Sequence, residues 1–393
     1  MIVITEKKNC CGCTACEQIC PVHCIEMKED EEGFLYPKAN AGKCIHCNAC
    51  GRVCPIQNYQ KQVNFEQVAY MLQNKDQQVL RESTSGGVFT EIARYVIRNG
   101  GVVYGAAIGS DYIVRHIPVT NEEELWRFRN SKYVQSNVED TFSQVKEQLK
   151  GGKMVCFSGT PCQIEGLLQF LGRKPENLIL VDVVCRAVPS PGVWKKYIES
   201  EVSRHGDAIS IRFRDKKLGY QYSTMKIAMK DGYCERGGVE SSIWLRLFFS
   251  GMIIRPSCAA CKFRSPYRKS DFTIWDCFPT YKFDKSWDEN SGTTRMLIHT
   301  EKGKRIFAII SSRFEVKELS VSEAIAGVRE MALSPKENEK KELFFQELNE
   351  NDIEQAIDRY FPTTGKVKFK KSMRIFLNRY GLDKTVKHIL KRG

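Results

Sequence analysis

The chain has 393 residues, 42% of them hydrophobic and 27% charged, and carries a formal net charge of +13. That balance suits a folded globular protein and excludes a disordered or fibrous chain; no run approaches the roughly 18 apolar residues of a membrane-spanning helix. Between Lys366 and Arg392 ten Lys or Arg face one acid, Asp383, so +9 of the charge sits in the tail. No nucleic-acid motif accompanies it, which excludes nucleic acid as a partner.

In chain order, the first feature is a doubled cysteine run. Cys10-x2-Cys13-x2-Cys16-x3-Cys20-Pro21 recurs as Cys44-x2-Cys47-x2-Cys50-x3-Cys54-Pro55, each cysteine 34 residues after its counterpart. This is the spacing of a bacterial two-cluster ferredoxin, in which three thiolates of one loop cap a cubane and the cysteine before proline reaches the other cluster. The expected ligand sets are Cys10, Cys13, Cys16 and Cys54 for one [4Fe–4S] cluster, and Cys44, Cys47, Cys50 and Cys20 for the second. A four-ligand zinc site would leave the third cysteine and the Cys-Pro without a role. The short, quickly charged start Met1-Ile-Val-Ile-Thr-Glu-Lys-Lys does not read as a signal peptide, so the 17 cysteines point to a reducing cytoplasm. Cys11 and Cys24 read as spare thiols near the clusters.

Residues 1–60 form this ferredoxin-type module, and 61–66 read as a polar linker. An α/β body follows, in two parts at 61–150 and 151–325, giving an α+β or α/β fold overall. Val68 to Leu72 reads as a strand, Ser83-Thr84-Ser85-Gly86-Gly87 as a small-residue loop, and Val88 to Arg98 as a helix with Val88, Ile92, Tyr95 and Val96 on one face. Asn99-Gly100-Gly101 stops that helix. Val102 to Ile108 is a buried strand, and 138–150 an amphipathic helix. Met154 to Phe157 is a strand, Ser158 to Cys162 a turn with proline at a helix start, and Gln163 to Leu171 the helix. Leu178 to Val184 is an apolar strand ending at Cys185. Residues 208–230 alternate like a hairpin or meander, Ser241 to Ser250 is a short helix, and 336–360 are acidic and helical. Residues 326–393 make a helical, basic tail.

Two small-residue turns precede helices, at Ser83–Gly87 and Gly159–Cys162. Each is a plausible anion cradle, although a small-residue turn before a helix is more often a plain turn. Cys162 opens a helix, Cys185 closes a strand, and Cys258-x2-Cys261 comes later in the chain. Strand ends and helix starts gather on one edge of an α/β sheet, where four thiolates could hold a third [4Fe–4S] cluster. Half a zinc site, or a redox dithiol beside two unrelated buried thiols, are the alternatives. Cys156 reads as a buried small hydrophobe, and Cys234 and Cys277 have no assigned role. No catalytic residue is assigned: histidines 23, 46, 116, 205, 299 and 388 lack ligand spacing, and no Ser/His/Asp set stands out. That fits a protein whose cofactors carry the reaction.

Ser85-Gly86-Gly87-Val88-Phe89, Ser131-Lys132-Tyr133-Val134-Gln135-Ser136, Phe157-Ser158-Gly159-Thr160-Pro161-Cys162-Gln163, Cys185 with Val188-Pro189-Ser190-Pro191, and Cys258-x2-Cys261 occur in that order. The ordered set resembles the beta subunit family of coenzyme F420-reducing hydrogenase and formate dehydrogenase, in its bacterial branch with an N-terminal double ferredoxin module. The resemblance covers roughly residues 1–320. It implies a flavoprotein with FAD against an iron–sulfur cluster, with Ser85, Gly86, Gly87, Lys132, Tyr133 and Thr160 at the FAD site and Cys162, Cys185, Cys258 and Cys261 as ligands of the flavin-proximal cluster. It further implies a role in surface-polysaccharide metabolism. Where the family has Cys-His-Gly, this chain has Cys185-Arg186-Ala187; where it has glycine, Asn130 stands before Ser131. Its Asp-Ile-Thr-Ile-Gly-Asp-Phe-Trp stretch is here Asp271 to Phe278 with Trp275 for glycine, so bulk is expected beside the cofactor pocket and the deazaflavin substrate does not carry over.

The expected function is an FAD and [4Fe–4S] oxidoreductase that takes electrons from ferredoxin or another redox protein and serves a small-molecule two-electron acceptor. The alternatives are a non-catalytic electron-transfer subunit and a zinc-stabilised binding protein. In the tail, Phe369, Met373, Phe376 and Tyr380 follow helical spacing. That suits peripheral contact with an anionic membrane and equally a helix packed on the body or an acidic partner; the packed reading is taken first.

Overall fold

The computed structural model describes residues 1–63, 65–287 and 290–379; Tyr380 and the basic residues after it lie outside that range.

The two cysteine loops are conformational copies. Gly12 and His46 have φ of +70° and +57°, and Thr14 and Asn48 have φ of +64° and +56°, each pair one repeat apart. A left-handed residue on either side of the middle cysteine coils each loop tightly. Short helices come next at Ala15–Gln18 and Ala49–Arg52. A two-stranded antiparallel hairpin, Ile25–Glu29 with Leu35–Ala39, completes the module.

The body is a mixed α/β structure around an eight-stranded sheet. Its spatial order is Phe314–Leu319, Val68–Asn74, Thr294–Ile298, Phe272–Asp276, Leu178–Val183, Val155–Gly159, Val102–Ile108 and Val114–Val119. The four strands from Phe272–Asp276 to Val102–Ile108 run parallel; the flanking pairings are antiparallel. Among the parallel strands Leu178–Val183 is a nearly continuous Val, Ile and Leu run, as a strand covered on both faces must be. Helices Val88–Arg98 and Glu301–Ile310 cover one face. Helices Thr141–Lys150 and Pro161–Leu171 cover the other, where the cysteine module shares their core.

A smaller antiparallel sheet, Ala208–Asp215, Thr224–Met229 and Cys234–Gly237, packs against helices Pro191–His205, Ile243–Phe249, Lys341–Glu350 and Ile353–Tyr360. The acidic stretch is thus two helices broken at Asn351–Asp352. The strands at 114–119, 272–276, 294–298 and 314–319 emerge only in the fold, because three of them sit at antiparallel positions with polar residues interspersed.

The tail helix Gly365–Arg379 buries no residue. Its side chains Phe369, Met373 and Phe376 remain 67%, 42% and 54% exposed. Arg374 lies 5.9 Å over Tyr222, and Asn378 donates to the Leu218 carbonyl.

Candidate iron–sulfur and cofactor site

Three cysteine-lined cavities form a series. The outer one is bounded by Cys20, Cys24, Cys44, Cys47 and Cys50, with Met1, Val22 and Ile45 at its mouth. The inner one is bounded by Cys10, Cys11, Cys13, Cys16 and Cys54, under Ile2, Ile4 and Ile56. The third is bounded by Cys162, Cys185, Cys258 and Cys261, together with Cys11, Ile56 and the arginines Arg255, Arg264 and Arg268. Cys11 and Ile56 line both the inner and third cavities.

The third cavity is built by topology. Strands Val155–Gly159 and Leu178–Val183 are parallel and end on the same edge of the sheet, delivering Thr160-Pro161-Cys162 and Cys185 there. Thr160 caps the helix at Pro161 in a reciprocal box with Gln163, and its hydroxyl lies 3.2 Å from Cys162 Sγ. An isolated bridge between Pro189 and Ile254 brings in the short helix Pro256–Ala259 that carries Cys258. Arg264 donates to the Cys185, Arg186 and Glu330 carbonyls, clamping the strand end to the Cys261 segment. Arg268 pairs with buried Asp182 at 2.8 Å.

Burial pushes the Cys185 and Cys261 thiols up and Cys258 up to about 12, and the hydrogen bond with Cys11 raises Cys162. Such thiols ionise only when a metal centre or cationic neighbours stabilise the thiolate. Arg255, Arg264 and Arg268 supply fixed positive charge for that state. The residues therefore fit an iron–sulfur cubane. Among the described residues no three His, Cys, Asp or Glu side chains converge on one point as ligands of a single ion; these cysteines stand around open cavities instead.

Arg255, 1% exposed, joins the inner and third cavities. It donates to the Cys10 carbonyl at 2.8 Å, to Leu35 O at 2.9 Å and to Gln135 Oε1 at 3.0 Å, and its Nη2 lies 3.6 Å from Cys10 Sγ. Its plane sits 4.3 Å from the Tyr36 ring, and its own carbonyl accepts from the Cys258 N–H at 2.9 Å. One side chain thus fixes the distance between two cysteine groups far apart in the chain. A Cβ at Gly12 would lie 2.7 Å from Arg255 Nη1, so the inner loop needs glycine there for space as well as for φ.

Cys24 lies 3.4 Å from Cys20 Sγ, and that hydrogen bond raises Cys24 to about 11. Cys156 is fully buried in its strand, Cys277 is buried against Met71, and Cys234 is exposed.

The FAD candidates fall in two places. Ser85, Gly86 and Gly87 lie at the end of strand Val68–Asn74, on the same sheet edge as Cys162 and Cys185. Ser131 joins Lys132 and Tyr133 to that loop, its N–H donating to Thr84 Oγ1 at 2.6 Å. Thr160 belongs to the third cavity, and Tyr133 packs toward it beside Phe249, Ala187 and Cys258. Ser85 Oγ and the Gly86 N–H both engage Thr294 Oγ1 at 2.8 Å, and Lys132 Nζ donates to the Arg127 and Arg129 carbonyls.

Around this loop stand cations that sequence reasoning missed. Lys216 donates to the carbonyls of Leu80, Ser85 and Ser291, Arg212 donates to the Glu82 carbonyl, and Arg214 donates to Tyr133 and Asp276. Burial pushes Lys132 and Lys216 each down to about 7 and lowers Arg212. Arg214 Nε and Nη2 are buried without a partner. Cations held mostly by neutral carbonyls, with an orphaned guanidinium edge, fit an anionic group such as a dinucleotide pyrophosphate. Only tertiary structure gathers them; the clue in the sequence is the Arg212-Phe213-Arg214-Asp215-Lys216 alternation.

Trp275 does not fill the third cavity. It packs with Ala69, Met71 and Leu297 under Arg295, because strand alternation turns it to the other side of the sheet from Ile274. Arg186 and Ala187 do line the cavity.

Residues 152–322 match the family described as the C terminus of the coenzyme F420 hydrogenase/dehydrogenase beta subunit, and residues 9–58 match the 4Fe-4S dicluster domain. No curated protein matches the chain. Among solved structures, a chain of the xenon-derivatised F420-reducing [NiFe] hydrogenase complex from Methanosarcina barkeri is similar at 16% identity and a TM-score of 0.43, over 64% of this chain and 81% of that one. The chain is therefore an iron–sulfur protein of the oxidoreductase type, in which a 4Fe-4S dicluster domain precedes the C-terminal domain of the coenzyme F420 hydrogenase/dehydrogenase beta subunit family.

Proposed function

We propose that this chain is an FAD-dependent iron–sulfur oxidoreductase that relays electrons from a redox-protein donor to a small-molecule two-electron acceptor. The observation that carries the reading is the run of three cysteine cavities, with Cys11 and Ile56 shared between the second and third. When bound, [4Fe–4S] clusters accept and release single electrons, and a flavin exchanges electrons singly or in pairs.

Cys44, Cys47, Cys50 and Cys20 would hold the outer cluster, Cys10, Cys13, Cys16 and Cys54 the inner one, and Cys162, Cys185, Cys258 and Cys261 the third. Ser85, Gly86, Gly87, Lys132 and Tyr133 would hold FAD, with Thr160 at the cluster end and Lys216, Arg212 and Arg214 offsetting its phosphates. Arg255 holds the inner loop against the third cavity, and Ile2, Ile4 and Ile56 give the inner cavity an apolar lining. The bacterial resemblance adds an acceptor from polysaccharide-related metabolism.

The test is iron, sulfide and flavin content after anaerobic purification. About 12 irons and one FAD per chain are expected; about eight irons without flavin overturns the proposal. A second reading, a non-catalytic electron-transfer subunit, is favoured by the Thr294 contacts that already engage Ser85 and Gly86. That reading predicts the flavin-free result.

A further inference from the structure

The two copies of the cysteine motif face different surroundings. The inner loop packs on the body through Arg255 and Gly166 and its Cys13 is buried, whereas the matching Cys47 of the outer loop is exposed. Around the outer cavity Met1, Val22 and Ile45 stand 40%, 36% and 60% exposed, an apolar rim.

The charge around this rim is one-sided. Every acid of the module lies between Glu6 and Glu32, and Gly33 to Phe65 contain none. Most of those acids are engaged. Asp30 and Glu31 pair with Lys7, Glu6 with Lys8, and Glu32 with Lys341, and Glu17 accepts from the Met27 N–H. Glu26, the acid that faces Lys38 across the hairpin, pairs with Lys28 at 3.1 Å. Lys38, Lys43 and Arg52 are exposed and make no ion pair among the described residues. Lys43 adjoins Cys44, and Arg52 Nη1 donates to the Cys47 carbonyl at 2.9 Å, so two unpaired cations flank the exposed cysteines.

We propose that this face, with Ile45 and Val22 at its centre and Lys38, Lys43 and Arg52 around it, is the docking surface for an acidic one-electron carrier protein. The inference rests on the proposed function and adds the entry point and the charge of the donor. Unpaired surface cations beside an apolar patch attract and orient an acidic partner and repel a basic one. In the encounter the carrier loses one electron and this protein gains one at the outer centre; no bond forms or breaks and no proton moves.

The test uses the full-length holoprotein and an oxidised, acidic two-cluster bacterial ferredoxin as probe, with affinity read by calorimetry. Charge reversal by Lys43→Glu with Arg52→Glu is expected to weaken binding about tenfold or more, and raising salt from about 50 to about 300 mM to weaken the wild type similarly. A basic cytochrome c should bind the reversed variant better than the wild type. Lys38→Glu, further from the ligands, should weaken ferredoxin binding by a smaller factor, and Lys366→Glu with Lys368→Glu in the tail should leave it unchanged. Unchanged ferredoxin affinity in the Lys43/Arg52 variant, or equal weakening by the tail variant, overturns the docking surface. Iron content and dithionite bleaching of the same samples separate the two levels. Full iron and full bleaching without ferredoxin binding sinks the docking proposal alone, whereas missing iron in the wild type sinks the proposed function.

Discussion

The inner and outer cysteine nests share one motif, one loop conformation and one helix start, yet the fold treats them differently. The inner nest is covered by Ile2, Ile4 and Ile56 and gripped by Arg255. The outer nest keeps Cys47 in contact with solvent. Equal ligation therefore does not mean equal properties, since hydrogen bonds to sulfur and solvent exposure both tune cluster potential. What separates the nests is their neighbours, and the sharpest experiments alter those neighbours one side at a time.

The largest effect is expected beyond the inner nest. Cys258→Ser should lower iron from about 12 to about eight per chain and leave both nests loaded. It should slow flavin reduction by the protein donor by about a hundredfold or more, since a relay lacking a member loses a whole transfer step. Iron analysis with stopped-flow absorbance checks it, and flavin reduction at the wild-type rate would refute the relay.

Arg255→Met removes four hydrogen-bonding contacts and leaves the Cys10 and Leu35 carbonyls without their donor. A loss of about 3–5 kcal/mol is expected, the usual result of deleting one member of a buried charged network. Spectroscopic redox titration should show the inner centre moving to lower potential while the outer one stays in place. A parallel shift of both would mean the guanidinium acts on the whole module and not on the inner nest.

Gly166→Ala tests the packing of helix Pro161–Leu171 on the inner loop. The added Cβ would lie 2.9 Å from Cys13 Cβ and 3.0 Å from Cys13 Sγ. Destabilisation of about 1–3 kcal/mol is expected from overpacking, with the spectrum of the inner centre perturbed and that of the outer one unchanged. Denaturant titration and electron paramagnetic resonance read the two parts separately.

The smallest effects concern the extra thiols. Cys11→Ala and Cys24→Ala should each leave about 12 irons in place and change stability by about 1 kcal/mol, the scale of deleting one small buried group. On brief air exposure of the wild type, about four irons should be lost first, from the open outer nest. First loss from the inner nest would show that exposure does not govern the difference between them.

The cysteines that the spacing of the N-terminal run groups together are the ones that share a cavity in the fold, because a 34-residue repeat carries both the ligands and the left-handed turns that aim them. Three of the parallel core strands, Val102–Ile108, Val155–Gly159 and Leu178–Val183, were legible as apolar runs for the same local reason. Of the flanking antiparallel strands only Val68–Asn74 was, since the others carry polar residues among the apolar ones. Trp275 looked like a plug in the cofactor pocket from its place in a motif, but it packs with Ala69, Met71 and Leu297 and does not line the third cavity.

By itself, then, the sequence determined the iron–sulfur character of the first 60 residues and the α/β nature of the body after them, because short-range spacing and hydrophobic period suffice for both. Tertiary structure alone decided that one nest packs on the body while its twin leaves Cys47 exposed, that Cys162, Cys185, Cys258 and Cys261 surround one cavity, and that Arg255 ties that cavity to the inner nest. These depend on contacts between residues distant in the chain, and such contacts exist only once parallel strands end on a common edge and a cysteine module packs against them.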